Sequence, residues 1–430
     1  MPDKTFTAAI IGCGNRGTDV YGNIMHGMPD KYKITALCDI NAERLDIAGK
    51  KFDVPDALRF IDEVEFFAEK RADVLVIATL DGDHVRQAVR ALELGYDILL
   101  EKPITDKIEE CEKLLAARKN YGGKIIVCHV LRYSPAFLEC GKILRSGELG
   151  RLVAIQAIEQ VAYWHQAHSF VRGNWRNREE TAPMILAKCC HDIDLLQYYA
   201  QSECDSVSSV GDLAYFNPDN APDGATARCC DCPHVDSCAY SAVKLYIDDW
   251  KNKGCPDHKW PQCVITNARP LTEPALIKAL REGPYGRCVF ACDNNVVDHQ
   301  LSDFVFKNGV KASLLMTAFT ANGGRNIRFC CTLGELVLDE ESGYIAVKPF
   351  GASQRAIDIK SLGGDANGGH GGGDYGIIEA LYAALNGNNA AGVTTLEHSI
   401  ESHLMALRAE QSRLAGGKAL AVHGKDAHTL

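Results

Sequence analysis

Short apolar runs rich in β-branched residues alternate with longer amphipathic stretches between residues 7 and 128. Ala8–Ile11, Ile34–Cys38, Val74–Ala78, Ile98–Leu100 and Ile125–Val127 read as strands, while Asp83–Leu94 and Asp106–Asn120 carry apolar residues at helical spacing. Parallel strands need crossover connections, so this rhythm predicts an α/β domain with a doubly wound parallel sheet, ending near residue 130.

Beyond that point the rhythm changes. A helix is predicted over Pro135–Arg145, then a long strand over Leu152–Val161. Further strands follow near Val207–Tyr215, Val310–Thr317, Ile327–Thr332, Glu335–Leu338 and Ile345–Lys348. Their spacing predicts an α+β domain over 131–430 with a largely antiparallel open sheet and helices on one face. Residues 217–270 are rich in Cys, Pro and Asp with little periodicity, and are expected to be an insertion that needs a staple. A glycine-rich hinge at Gly363–Gly373 precedes two closing helices, Tyr375–Leu385 and Leu396–Leu414.

Bulk composition narrows the function. A chain of 430 residues exceeds what one hydrophobic core serves, in keeping with two domains. The net charge of -10 and the lack of a basic run exclude the electrostatic footprint of a nucleic-acid binder. Met1–Phe6 has no basic leader and no stretch approaches 18 apolar residues, so neither secretion nor membrane insertion is expected and the cytoplasm is the expected location. Of the 18 cysteines, Cys38, Cys111, Cys128 and Cys140 sit singly in apolar runs as small hydrophobes.

Directly after the first strand stands Gly12-Cys13-Gly14-Asn15-Arg16-Gly17, a G-x-G-x-x-G turn between strand and helix. Its first two glycines allow close approach to a pyrophosphate, and the third allows tight helix packing. Asp39 follows Gly17 by 22 residues at the end of the second strand, where a carboxylate accepts both ribose hydroxyls and repels a 2′-phosphate. The pair predicts a Rossmann site for NAD in preference to NADP.

Three more motifs add to this: Thr79-Leu80-Asp81-Gly82-Asp83-His84, Glu101-Lys102-Pro103 and His191-Asp192-Ile193-Asp194, with Arg132-Tyr133 after the strand at 125–127. As a set they resemble the Gfo/Idh/MocA family of oxidoreductases. The resemblance implies that Thr79, Asp81, His84, Glu101 and Arg132 join the cofactor site, and that Lys102 reaches both the reacting hydroxyl and the nicotinamide ribose. It also implies that His191 is the catalytic histidine. In the usual pattern an aspartate precedes that histidine by four residues; here the position is Ala187, and Lys188 stands three residues before His191. Lys188 is therefore a candidate substrate or acid–base residue, with His191 as general base. Asp194 could orient the ring or bind a substrate hydroxyl.

His370-Gly371-Gly372-Gly373-Asp374 reads either as a linker or as a substrate element, since the glycines permit close approach to a polar ligand. Tyr163, Trp164, Trp175 and Arg176 could stack on and hydrogen-bond a pyranose, or could be core residues. Cys229, Cys230, Cys232 and Cys238 place four thiols in ten residues, a candidate structural zinc site, with an iron–sulfur cluster and metal-free thiols as the other readings.

The expected activity is NAD-dependent oxidation of a hydroxyl on a sugar, polyol or glycoside. Two alternatives are an NAD-dependent glycoside hydrolase or lyase working through transient C3 oxidation, and a non-catalytic sugar- and NAD-binding regulator. The family resemblance implies a homo-oligomer, dimer or tetramer.

Overall fold

Six parallel strands form the first sheet of the computed structural model, which describes residues 4–257, 259–363, 369–388 and 393–424. They are β1 (Phe6–Ile11), β2 (Tyr32–Cys38), β3 (Arg59–Phe60), β4 (Val74–Ile77), β5 (Asp97–Leu100) and β6 (Ile125–Val127), in the order β3-β2-β1-β4-β5-β6. Every residue of β4 is buried, as expected of a strand covered on both faces. β3 is two residues long, too short to leave a period in the sequence. The register aligns the last residues of four strands: Ile11 pairs with Cys38 and with Ile77, and Ile77 pairs with Leu100. The segments that follow, beginning at Gly12, Asp39, Ala78 and Glu101, therefore leave the sheet along one carboxyl edge. The strand order reverses there, where open α/β sheets bind ligands.

The second sheet has nine strands: β7 (Leu152–Gln160), β8 (Cys204–Asp212), β9 (His299–Phe306), β10 (Lys311–Thr317), β11 (Gly324–Cys331), β12 (Gly334–Asp339), β13 (Tyr344–Pro349), β14 (Arg355–Asp358) and β15 (Leu420–Ala421). The order is β14-β13-β12-β11-β7-β10-β9-β8-β15, and every neighbouring pair except β7–β10 is antiparallel. Helices Cys190–Ala200 and Leu396–Leu414 cover one face, and Ile193, Leu196 and Met405 share a core with Ile155, Leu314 and Phe329.

β9 escapes the hydrophobic pattern because two of its inward positions are polar. Gln300 and Ser302 are fully buried; the Gln300 amide donates to Ser209 Oγ at 2.9 Å, and the Ser209 and Ser302 hydroxyls meet at 2.7 Å. Hydrogen-bonded polar groups of this kind occupy a core without an apolar signature, although the Gln300 Oε1 is left without a partner.

Residues 217–270 are not the unpacked excursion expected from their composition. Tyr246, Trp250 and Leu271 bury against Leu276 and Leu280 on the helix Glu273–Glu282, which lies past the anticipated boundary. Each such side chain contributes roughly 1.5–3 kcal/mol of burial. The closing helices form as predicted, over Gly373–Leu385 and Leu396–Leu414. The first returns to the parallel sheet, packing Ile377, Ile378 and Leu381 with Ile10 and Val76. Of the hinge before it, residues 364–368 lie outside the described residues. Among the described residues no helix is long and apolar enough to cross a membrane.

Candidate active site

The carboxyl edge of the first sheet opens into a cleft of about 610 Å³, which residues between 165 and 370 also line. Gly12 turns the chain at φ +92°, and a Cβ there would lie 2.4 Å from the Ala78 carbonyl oxygen. A Cβ on Gly17 would lie 1.9 Å from the Gly12 carbonyl oxygen, so both positions demand glycine. Above Gly14 nothing stands within 4 Å of where a Cβ would be, leaving the backbone accessible to a phosphate. Gly12, Gly14, Asn15, Arg16, Asp39 and Thr79 all line the cleft. The Asp39 carboxylate is held at the strand end by two backbone N–H donors, Cys13 at 2.6 Å and Asn41 at 2.7 Å. A glycine cradle, an immobilised carboxylate and a cleft of this size fit an adenine dinucleotide.

The residues expected around the cofactor divide into liners and supports. Glu101 is buried and accepts from Arg16 Nε at 2.6 Å, from the Tyr21 hydroxyl at 2.6 Å and from the Lys102 N–H at 2.8 Å. Burial alone would raise its pKa, but the charges of Arg16 and Lys102 outweigh this and hold it below the usual carboxylate value. Arg16 also donates to Asp374 at 2.8 Å, and Asp374 accepts from His370 Nδ1 at 3.0 Å. Glu101 thus braces the nucleotide turn, while Asp374 supports Arg16 and His370, both of which line the cleft.

Lys102 lines the cleft and its ammonium donates to the Ala187 carbonyl at 3.2 Å, linking the end of β5 to the segment before His191. Burial, then the nearby charges of Lys102 and His370, push the His191 pKa well below the ordinary histidine value, so the ring is neutral at pH 7. Lys188 lines the same wall and pairs with the buried Glu159 at 3.0 Å. Glu159 also meets Arg325 at 2.7 Å, and Arg325 donates to Asp192 at 2.9 Å.

Comparison with known proteins accords with this geometry. Residues 6–129 match the oxidoreductase family model with an NAD-binding Rossmann fold, and residues 137–229 match the GFO/IDH/MocA C-terminal domain. The chain belongs to the Gfo/Idh/MocA oxidoreductase family. YteT of Bacillus subtilis, itself provisionally named an oxidoreductase, is 23% identical over 84% of this chain and 84% of its own length. Inositol 2-dehydrogenase 2 of Saccharopolyspora erythraea is 24% identical over 46% of this chain and 55% of its own. In fold, the chain is similar to the WlbA dehydrogenase of Bordetella pertussis, solved with NADH and UDP-GlcNAcA, at TM-score 0.69 and 15% identity over 99% of this chain and 100% of that one.

Several residues expected at the cofactor or the substrate are packed into the protein away from the cleft lining. Arg132 and Asp194 are both buried and paired with one another, Nε to carboxylate at 2.8 Å, and neither lines the cleft. His84 is fully buried and its ring bridges the Pro103 and Thr79 carbonyls at 2.7 and 3.2 Å. Asp81 lies buried beneath it, its pKa raised by burial against the opposing pull of His84 and Lys102. Arg176 is held by Asp293 at 2.8 and 2.9 Å, and Trp164 stacks on His165 behind the cleft wall. Tyr163 packs edge-on to Tyr240, whereas Trp175 does line the cleft.

The proposed zinc set also changes. Among the described residues the one trio of candidate ligand atoms within 4.8 Å of one another is His129, Cys190 and His191, not any three of Cys229, Cys230, Cys232 and Cys238. That trio sits beside the Lys102 ammonium, a poor neighbour for a cation.

Sequence reasoning missed Arg325, His168 and Trp260, all at the cleft, whereas His165, in the aromatic stretch 163–165, does line it. Arg325 sits on β11 with no motif around it. Trp260 belongs to the insertion, which reaches the nucleotide side through a 3.0 Å hydrogen bond from Asn267 to Glu43; the Trp260-Pro261 pair in an otherwise polar stretch was the available signal.

Proposed function

We propose that the chain is an NAD-dependent dehydrogenase that oxidises a secondary hydroxyl of a sugar, polyol or glycoside. One observation carries the reading: Lys102, Lys188 and a neutral His191 line one cleft with the glycine turn and Asp39. NAD, when bound, supplies the hydride acceptor. The chain does the rest: the Lys102 ammonium donates to the reacting oxygen and steadies its developing negative charge, and the His191 imidazole takes the hydroxyl proton.

Lys188 and Arg325, both held by Glu159, present donors to neighbouring hydroxyls of the substrate. Two cations anchored on one buried carboxylate suit a polyhydroxylated ligand, whose oxygens accept from fixed donors. Asp39 favours NAD over NADP, since a 2′-phosphate there would face a carboxylate held in place by backbone N–H groups.

A homo-oligomer belongs to the same reading. Val210 on β8 pairs with Leu301 on β9, Leu301 with Leu315 on β10, and Leu315 with Ile158 on β7. Val210 and Leu301 are 51% and 42% exposed, giving the outward sheet face an apolar row that a second copy would cover. Purified protein titrated with NAD, then assayed against inositols, aldoses and glycosides at the NADH absorbance, tests the activity. Replacement of Lys102 by Ala is expected to abolish turnover and leave the fold intact.

A further inference from the structure

Away from the cleft, four thiols converge from two segments on one small cavity. Cys229 and Cys232 flank a helical turn in a C-x-x-C spacing, and Cys238 follows another turn, its N–H donating to the His234 carbonyl at 2.8 Å. An antiparallel bridge between Arg228 and Arg287 brings in Cys288, whose N–H donates to the Ala227 carbonyl at 2.9 Å. These four cysteines and Arg172 line a cavity of about 20 Å³, together with His234, Tyr240 and Ser241 and apolar groups such as Val235, Val289 and Phe290.

Arg172 is the telling neighbour. It is 1% exposed, and its guanidinium donates to the Arg287 carbonyl at 2.7 Å, the Tyr240 carbonyl at 2.7 Å and Cys229 Sγ at 3.5 Å. Its Nη1 is buried with no hydrogen-bond partner, and none of the ion pairs among the described residues gives it a carboxylate. A buried cation answered only by neutral groups is costly, and an anionic occupant of the cavity would remove that cost.

We propose that Cys229, Cys232, Cys238 and Cys288 ligate an iron–sulfur cluster. Around a single tetrahedral zinc, with Zn–S near 2.3 Å, thiolates would sit about 3.8 Å apart. No three of these sulfurs lie within 4.8 Å of one another. A cluster gives each thiolate an iron of its own and accepts the wider spread, and its net negative charge supplies the partner that Arg172 lacks. Ligation releases the four thiol protons and changes no oxidation state in the protein. Arg172 ends the helical stretch Gln166–Arg172, whose His168, Ser169 and Phe170 line the main cleft. The cluster therefore braces the substrate wall.

The test is metal analysis of the full chain, produced with iron supplied and purified without oxygen. The expected result is equimolar iron and acid-labile sulfide, about two to four of each per chain, with broad visible absorption. Cys238→Ser should lose both. Cys230→Ser should keep both, because Cys230 does not face the cavity. Zinc in place of iron, metal-free thiols or disulfides by mass spectrometry, or unchanged iron in Cys238→Ser would each overturn the assignment. If Cys238→Ser fails to fold, the iron and sulfide content of the unaltered protein decides. None of these readouts depends on dehydrogenase activity.

Discussion

Lys188 and Glu159 meet at 3.0 Å across the cleft wall, and the same carboxylate meets Arg325 at 2.7 Å. The lysine head is thus held on the wall of the cleft. Lys188→Met should lower kcat/KM by about 100-fold, the size of one lost charged hydrogen bond in a transition state. Its Kd for NAD, measured by fluorescence titration, should stay within about twofold of the unaltered protein. A comparable loss of NAD affinity would place Lys188 on the cofactor.

Arg16 neutralises two buried carboxylates, Glu101 at 2.6 Å and Asp374 at 2.8 Å. Arg16→Met removes the cation hydrogen-bonded to both, which should cost about 3 kcal/mol in urea unfolding. It should also weaken NAD binding, because the nucleotide turn loses its brace. Asp374→Asn keeps a polar partner for Arg16 and His370 and should cost less than half as much.

Asp39 is pinned by the Cys13 and Asn41 N–H groups, so it cannot swing away from a 2′-phosphate. The unaltered protein should bind NAD at least about tenfold tighter than NADP, a difference of about 1.4 kcal/mol. Asp39→Ser should close most of that gap by weakening NAD and strengthening NADP. Equal affinities before substitution would refute the assigned role.

Burial pushes His168 and His403 down to about 3, with Arg172 and His129 adding to the effect at each. Unfolded, both titrate near 6.5. Below that value the unfolded chain takes up protons that the native state refuses, so stability is complete above pH 7 and falls as the pH drops. At pH 5.5 the two together should cost about 3 kcal/mol. Urea midpoints at pH 5.5 and 7.5 check this, and His403→Gln should flatten the dependence.

Much of this was legible in the chain. The five longer strands of the parallel sheet are buried, β-rich and separated by periodic helices, so length and pattern identify them. β9 was not legible, since the polar Gln300 and Ser302 fill inward positions and both hydrogen-bond to Ser209. At the site, motifs marked the right loops without distinguishing liners from supports. Glu101, His84 and Asp194 occupy motif positions yet face carbonyls and arginines, because the direction of a side chain depends on partners up to hundreds of residues away. Arg325 and Trp260 reach the cleft only through tertiary packing, which no local spacing encodes.

The most direct test of the central claim is to follow NADH formation and product release together in one reaction. Purified protein is incubated with NAD and panels of inositols, aldoses and aryl glycosides, alongside Lys102→Ala. Oxidation of a hydroxyl predicts NADH in step with an oxidised sugar or polyol, lost in Lys102→Ala. Aglycone release without net NADH, or equal NADH formation by Lys102→Ala, would contradict it.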